Sequence, residues 1–169
     1  MARHGISSTI YVGRPDLIDL SDEVDHESID IALTTAARTA TEITILGGFY
    51  NLKSLISLFE AIPAKQRRKC RVRVAVGLEA KAMIPQTWID MRQLRTTLVH
   101  LKFPDPEVRI VDNAPVHFHT KLFRFLHKTY PIWFIGSANP GSRRHELMMR
   151  LSGRHDALSA YLAAVFDKG

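Results

Sequence analysis

Cysteine is nearly missing from this 169-residue chain: Cys70 stands alone, so no intrachain disulfide is possible. A domain of this length buries roughly 70% of its unfolded surface and needs no covalent or metal staple. A lone thiol fits a reducing, intracellular setting. Long apolar runs are missing too; none approaches the roughly 18 residues that a membrane span requires. The opening stretch MARHGISSTIYVG has no continuous apolar core and no signal-peptide shape. Together these absences predict a soluble, cytoplasmic protein that works without a membrane. There is no internal repeat, low-complexity segment or linker, so residues 1–169 are expected to form a single domain. Metal-ligand clusters are sparse. His117 and His119 make an H-x-H pair, but no third and fourth ligand follows at a convincing spacing. Neither a metal nor another cofactor is expected.

What the chain does have is positive charge, a formal net +6 with a sequence pI near 9.7. That balance favours an anionic partner such as nucleic acid and says nothing about fold. Periodicity predicts the fold. Thr9–Val12 reads as a short strand, and 25–41 as a helix with Ile29, Leu33, Ala36, Ala37 and Ala40 on one face. EITILGGF (42–49) is a β-branched run closed by glycines. Asn51 is placed to cap a helix striped by Leu52, Leu55, Ile56, Phe59 and Ile62, with Pro63 beyond its end. RVRVAVGL (71–78) completes a strand–helix–strand unit, which implies a parallel pair. A helix over 87–101 follows, then strands at 107–112, 116–125, 131–137 and 146–152, and a closing amphipathic helix that begins at Asp156. The fold class expected is one α/β domain, a mixed sheet flanked by helices.

Chemistry concentrates in VHFHTKLFRF (116–125), where His117, His119 and Lys121 alternate with core-type residues. A lysine beside a histidine suits one kind of chemistry, in which the ammonium holds an anion while the imidazole acts as nucleophile or acid/base. In isolation the triplet is more simply a solvated sheet face. The next strand changes this, because it runs into Gly136, Ser137, Ala138 and Asn139. Ser137 and Asn139 alternate onto one face as donors. Two neighbouring strands would then aim His, Lys, Ser and Asn at one point, a phosphate site built from side chains.

H-x-K at 119–121 followed by G-S-x-N at 136–139 resembles the signature of the phospholipase D superfamily. The outline over residues 25–167 is similar, most of all to its short single-motif nuclease branch, which includes metal-independent restriction endonuclease domains. The resemblance implies a phospholipase D-like fold, with Phe49 and Tyr50 edging the site. It implies catalytic roles for His119, Lys121, Ser137 and Asn139. The superfamily's motif continues to an aspartate five residues after the lysine; here Leu126 stands there, as in the endonuclease branch, which lacks that carboxylate. That branch also carries a glutamate that orients the histidine, and Glu146 is the candidate. Arg143 and Arg144 follow the G-S-x-N turn and would contact substrate at the pocket mouth. The basic run KQRRKCRVR (65–73) reads as a solvated turn or a contact to a phosphate backbone.

In the superfamily two H-x-K motifs share one pocket, and this chain carries the set once. The resemblance therefore implies a homodimer with one shared active site. The function expected is a metal-independent phosphodiesterase, a DNA endonuclease that passes through a phosphohistidine. Two alternatives stay open: a hydrolase of phospholipids or other small phosphodiesters, and a non-catalytic nucleic-acid-binding module. No sequence-reading domain is evident, so cleavage specificity would come from a separate specificity or helicase partner.

Overall fold

A computed structural model of the chain describes residues 5–12, 26–77, 84–111, 118–139 and 146–167. His117, Arg143 and Arg144 lie outside the described residues. The elements run in the order β1 (Gly5–Val12), β2 (His26–Ser28), α1 (Ile29–Ala37), β3 (Glu42–Gly47), α2 (Leu52–Glu60), α3 (Ala64–Arg67), β4 (Arg71–Gly77), α4 (Ile84–His100), β5 (Glu107–Val111), β6 (Lys121–Leu126), β7 (Pro131–Gly136), β8 (Leu147–Ser152) and α5 (Asp156–Asp167). They build an eight-stranded sheet ordered β2-β1-β8-β7-β6-β3-β4-β5. The expected βαβ pair is present, since β3 and β4 are parallel with Ile45 opposite Val74, and β5 extends the parallel set. β6 joins β3 antiparallel, and β7, β8 and β1 continue antiparallel from it.

Alternation along the strands divides the core in two. Ile43, Ile45, Val72, Val74, Phe123, Phe125 and Phe134 face one way, where Leu33, Leu55, Phe59, Leu94 and Leu98 of α1, α2 and α4 cover them. Leu46, Leu122 and Trp133 face the other way and pack under Leu162 and Phe166 of α5. Asn51 caps α2 as its position predicts: its side-chain oxygen accepts from the Ser54 amide at 3.0 Å.

Two boundaries differ from the sequence reading. The helix expected from residue 25 begins at Ile29, because His26–Ser28 pair in parallel with Ile10–Val12 instead. The strand expected over 116–125 begins only at Lys121, so His119 precedes β6 rather than lying on it. Phe118–Thr120 instead cross the carboxyl ends of β3 and β4, held by a Gly48 amide to Thr120 carbonyl bond of 2.9 Å.

Candidate active site

Gly47, the last residue of β3, is the centre of the site. Lys121 is its register partner on β6. A Cβ built on Gly47 would sit 3.7 Å from Asn139 Oδ1, so the residue that ends the G-S-x-N turn reaches the same spot from β7. His119 joins them through Lys121, whose ammonium lies 2.8 Å from each ring nitrogen and donates to the His119 carbonyl at 3.0 Å. Lys121 is only 5% exposed, while the imidazole of His119 is open to solvent. The imidazole is accessible and its cationic neighbour is sunk beneath it.

Phe49 forms the rim, its ring edge-to-face with His119 at 4.9 Å and 5.1 Å from the Lys121 ammonium. The charge over the ring face is a cation–π contact that steadies the lysine without neutralising it. Tyr50 turns elsewhere: its hydroxyl donates to Asp90 of α4 at 2.9 Å. Ser137 fastens β7 to β8, its hydroxyl accepting from the Leu147 amide at 3.1 Å and its own amide bonding the Leu147 carbonyl at 3.0 Å. The structure thus gives the Ser137 oxygen a backbone partner. Glu146 immediately precedes β8 at this end of the sheet, and by alternation it belongs on the face of Met148 and of Lys121.

Two buried polar atoms here have no hydrogen-bond partner among the described residues, Asn139 Oδ1 and Glu146 Oε2. Folded proteins rarely leave such atoms unpaired, and each costs about 1–3 kcal/mol. A site that awaits a ligand or a second subunit carries such a cost.

Glycines make the site possible. The motif residues alone do not announce this role, although a Gly-Gly pair directly before Phe49 is its signal in the sequence. A Cβ at Gly48 would lie 2.5 Å from the His119 Cα, and one at Gly77 would collide with the Phe118 carbonyl oxygen. Only glycine at the ends of β3 and β4 lets the 118–119 backbone cross them. From the other face Tyr161 of α5 pins the same segment, its hydroxyl 2.6 Å from that of Thr120.

The chain holds a second H-x-K triplet, His100–Leu101–Lys102. It ends α4, and Lys102 has a positive φ of 69°, so it is a helix terminus at the opposite end of the parallel strands. The basic run 65–73 lies at that far end too, since Arg71 opens β4 and Gly77 closes it. Six residue steps of strand put it about 20 Å from the site. Cys70 is there as well, fully buried, its thiol pushed up to about 12 by burial and, secondarily, by Glu42. Among the described residues no three His, Cys, Asp or Glu side chains gather as a metal site, and no helix is long and apolar enough to cross a membrane.

No family model and no curated protein matches the sequence. Among solved structures, a polyphosphate kinase from Porphyromonas gingivalis superposes with a TM-score of 0.54 at 19% identity, over 83% of this chain and 24% of that one. An archaeal chromatin protein, TrmBL2, whose structure is described as showing a novel mode of DNA binding, superposes with a TM-score of 0.44 at 11% identity, over 82% and 47%. This chain thus spans about a quarter of the kinase. The first likeness shows the fold: a phospholipase D-like α/β domain with a mixed sheet flanked by helices.

Proposed function

We propose that the protein is a phosphodiesterase that works through His119, most simply a DNA endonuclease whose site is completed by a second copy of the chain. The observation that supports this most is the convergence at Gly47: an accessible imidazole on a buried ammonium, with the orphan amide of Asn139 beside them. A ring nitrogen of His119 attacks phosphorus, the N–P bond forms, and the P–O bond to the leaving group breaks. His119 of the second subunit gives that oxygen its proton. It then takes a proton from water, whose oxygen attacks phosphorus, breaks the N–P bond and leaves a phosphate monoester. Lys121 and Asn139 of both subunits would carry the charge on the phosphoryl oxygens. The two lysines supply the positive charge that a metal would otherwise bring.

The surface around the site supports a shared pocket. Ile31 near the start of α1, Phe49, Trp88 and Ile89 in the first turns of α4 and Leu147 at the start of β8 are all exposed at this end of the sheet. An apolar rim of this kind suits a subunit interface. It would also suit a lipid headgroup site, so a short-chain phospholipid is assayed beside DNA. The test is cleavage of single- and double-stranded DNA in excess EDTA, with His119→Ala in parallel and sedimentation to determine mass. Cleavage that survives EDTA, vanishes in the variant and belongs to a dimer is the expected result. A fully active monomer would overturn the shared site. Cleavage seen only after metal is added would overturn the mechanism. DNA binding without cleavage would favour the binding module, and lipid turnover the second substrate class.

A further inference from the structure

Away from His119, a cavity of about 280 Å³ opens between α1 and the strands β1, β7 and β8. Ala32 and Ala36 of α1 leave the room, and Ile132 and Phe134 floor it. Polar groups converge on it from separate elements: Arg150 of β8, His127 and Tyr130 of the β6–β7 turn, Thr39 and Glu27. Small-molecule sites have this character, mostly apolar walls with a few placed polar groups.

Arg150 distinguishes this cavity from ordinary packing space. The other partly buried strand arginines each have a carboxylate: Arg73 and Arg109 share Glu107 at 2.8 and 2.6 Å, and Arg124 has Glu42 at 2.6 Å. Arg150 has no ion pair among the described residues, and its buried Nε has no hydrogen-bond partner. Glu27 does not fill the role. It lines the cavity too, but no ion pair joins it to Arg150. His127 sits at the Thr39 end, its Nδ1 3.2 Å from the Thr39 hydroxyl and its buried Nε2 without a partner among the described residues. When Nδ1 accepts from Thr39, Nε2 carries the proton and is a donor. Its imidazole pKa is lowered from the ordinary histidine value, first by burial and then by the charge of Arg150, which lines the same cavity.

We infer that this cavity binds a small molecule with an anionic head group, a carboxylate or phosphate monoester, on an apolar body of about the size of an aromatic ring. The head group would take the Nε of Arg150 and the Nε2 of His127, and the body would lie on Ala32, Ala36 and Phe134. The site is independent of the proposed catalytic one and does not rest on it.

The test is calorimetric titration of the full chain with phenyl phosphate and with benzoate, to separate the two head groups. Three variants accompany it: Arg150→Met removes the charge, Ala36→Leu fills the cavity and leaves every charge in place, and His119→Ala disables the other anion site. Saturable binding of at least one probe is expected, weakened at least about tenfold by Arg150→Met and by Ala36→Leu and unchanged by His119→Ala. If Arg150→Met does not fold, Ala36→Leu alone decides. Binding lost in His119→Ala and kept in the cavity variants would place the anion at the catalytic site and overturn the inference. Absence of saturable binding by either probe would also overturn it.

Discussion

The two ends of the sheet are built on different rules. At the end where β3 and β4 finish, apolar side chains are exposed and polar atoms are buried without partners: Phe49, Trp88 and Leu147 face solvent while Asn139 Oδ1 and Glu146 Oε2 do not. Toward the other end the exposed side chains are charged and several polar groups are paired, although Arg124 Nε and His127 Nε2 have no hydrogen-bond partner among the described residues. Arg124 stands on Glu42 at 2.6 Å and against the Trp133 ring at 5.4 Å, Gln66 donates to the Ala40 carbonyl, and Lys65, Arg68, Lys69 and Arg71 are exposed. What separates the ends is the exposed surface, apolar at one and charged at the other, while unpartnered polar atoms occur at both. Exposed apolar side chains beside unpartnered polar atoms are expected where a site is held ready for something absent from the folded chain. The contrast also redistributes the net charge of +6. The densest basic run sits about 20 Å from His119, so under the proposed function any hold on a nucleic acid there would act on backbone remote from the cleaved phosphate.

The most severe test falls on His119 itself. His119→Ala should lower cleavage by about 10⁴-fold and leave thermal stability nearly unchanged, because the ring is exposed. Lys121→Met should cost about 10²- to 10³-fold through lost charge stabilisation. Both are read from initial rates and melting curves together; retained activity in either would remove the site. Gly48→Ala acts on both rate and stability. Its methyl group would meet the His119 Cα at 2.5 Å, so the crossing segment must shift. The expected cost is about 1–3 kcal/mol of stability from overpacking and about 10²-fold in rate from a displaced nucleophile. An alanine variant of wild-type activity would show that the Phe118–Thr120 crossing does not position His119.

A paired comparison follows, smaller in size and more diagnostic. Asn139→Ala removes a buried orphan atom, so stability should hold or rise by up to about 1 kcal/mol while activity falls by about 10²-fold. Arg124→Met strands Glu42 in a pair whose side chains are 20% and 21% exposed. It should cost about 2 kcal/mol, between the values for surface and buried pairs, and leave the rate untouched below the melting temperature. If both variants lose stability and rate together, the two ends of the sheet do not divide the labour.

Much of this was legible in the chain. The parallel pair β3–β4 follows from two β-branched runs around an Asn51-capped amphipathic helix, and the closing helix from its apolar stripe. His119, Lys121 and Asn139 were legible through residue type and spacing, and they do converge. What spacing could not reveal was register and crossing. His119 is not on the strand that its alternation suggested, because the chain enters β6 from across β3, and only long-range pairing decides that. Ser137 looked like a ligand donor and is a clasp to Leu147. Tyr50 looked like a rim residue, and its hydroxyl bonds Asp90, forty positions along the chain. The cavity at Arg150 and His127 had no local signature: its residues come from five separate elements and two turns, and what marks them is a partner that is missing in space.

His127 offers the mildest test, and it bears on the cavity. Burial and the charge of Arg150 both disfavour the imidazolium in the folded state, so the folded value lies below the unfolded one, near 6.5. Above pH 6.5 both states are neutral there and the contribution to stability is complete. As the pH falls, the unfolded chain takes up the proton first, and stability is lost down to the lowered folded value. Melting temperature between pH 7 and pH 5 should therefore fall more steeply in the wild type than in His127→Gln. Parallel slopes would mean that the ring is protonated freely in the fold. Phenyl phosphate should flatten the wild-type slope, because an anion seated between Arg150 and His127 offsets the repulsion that lowers the imidazole. A flattening that persists in Ala36→Leu would locate that anion outside the cavity and separate the titration of His127 from the site inferred around it.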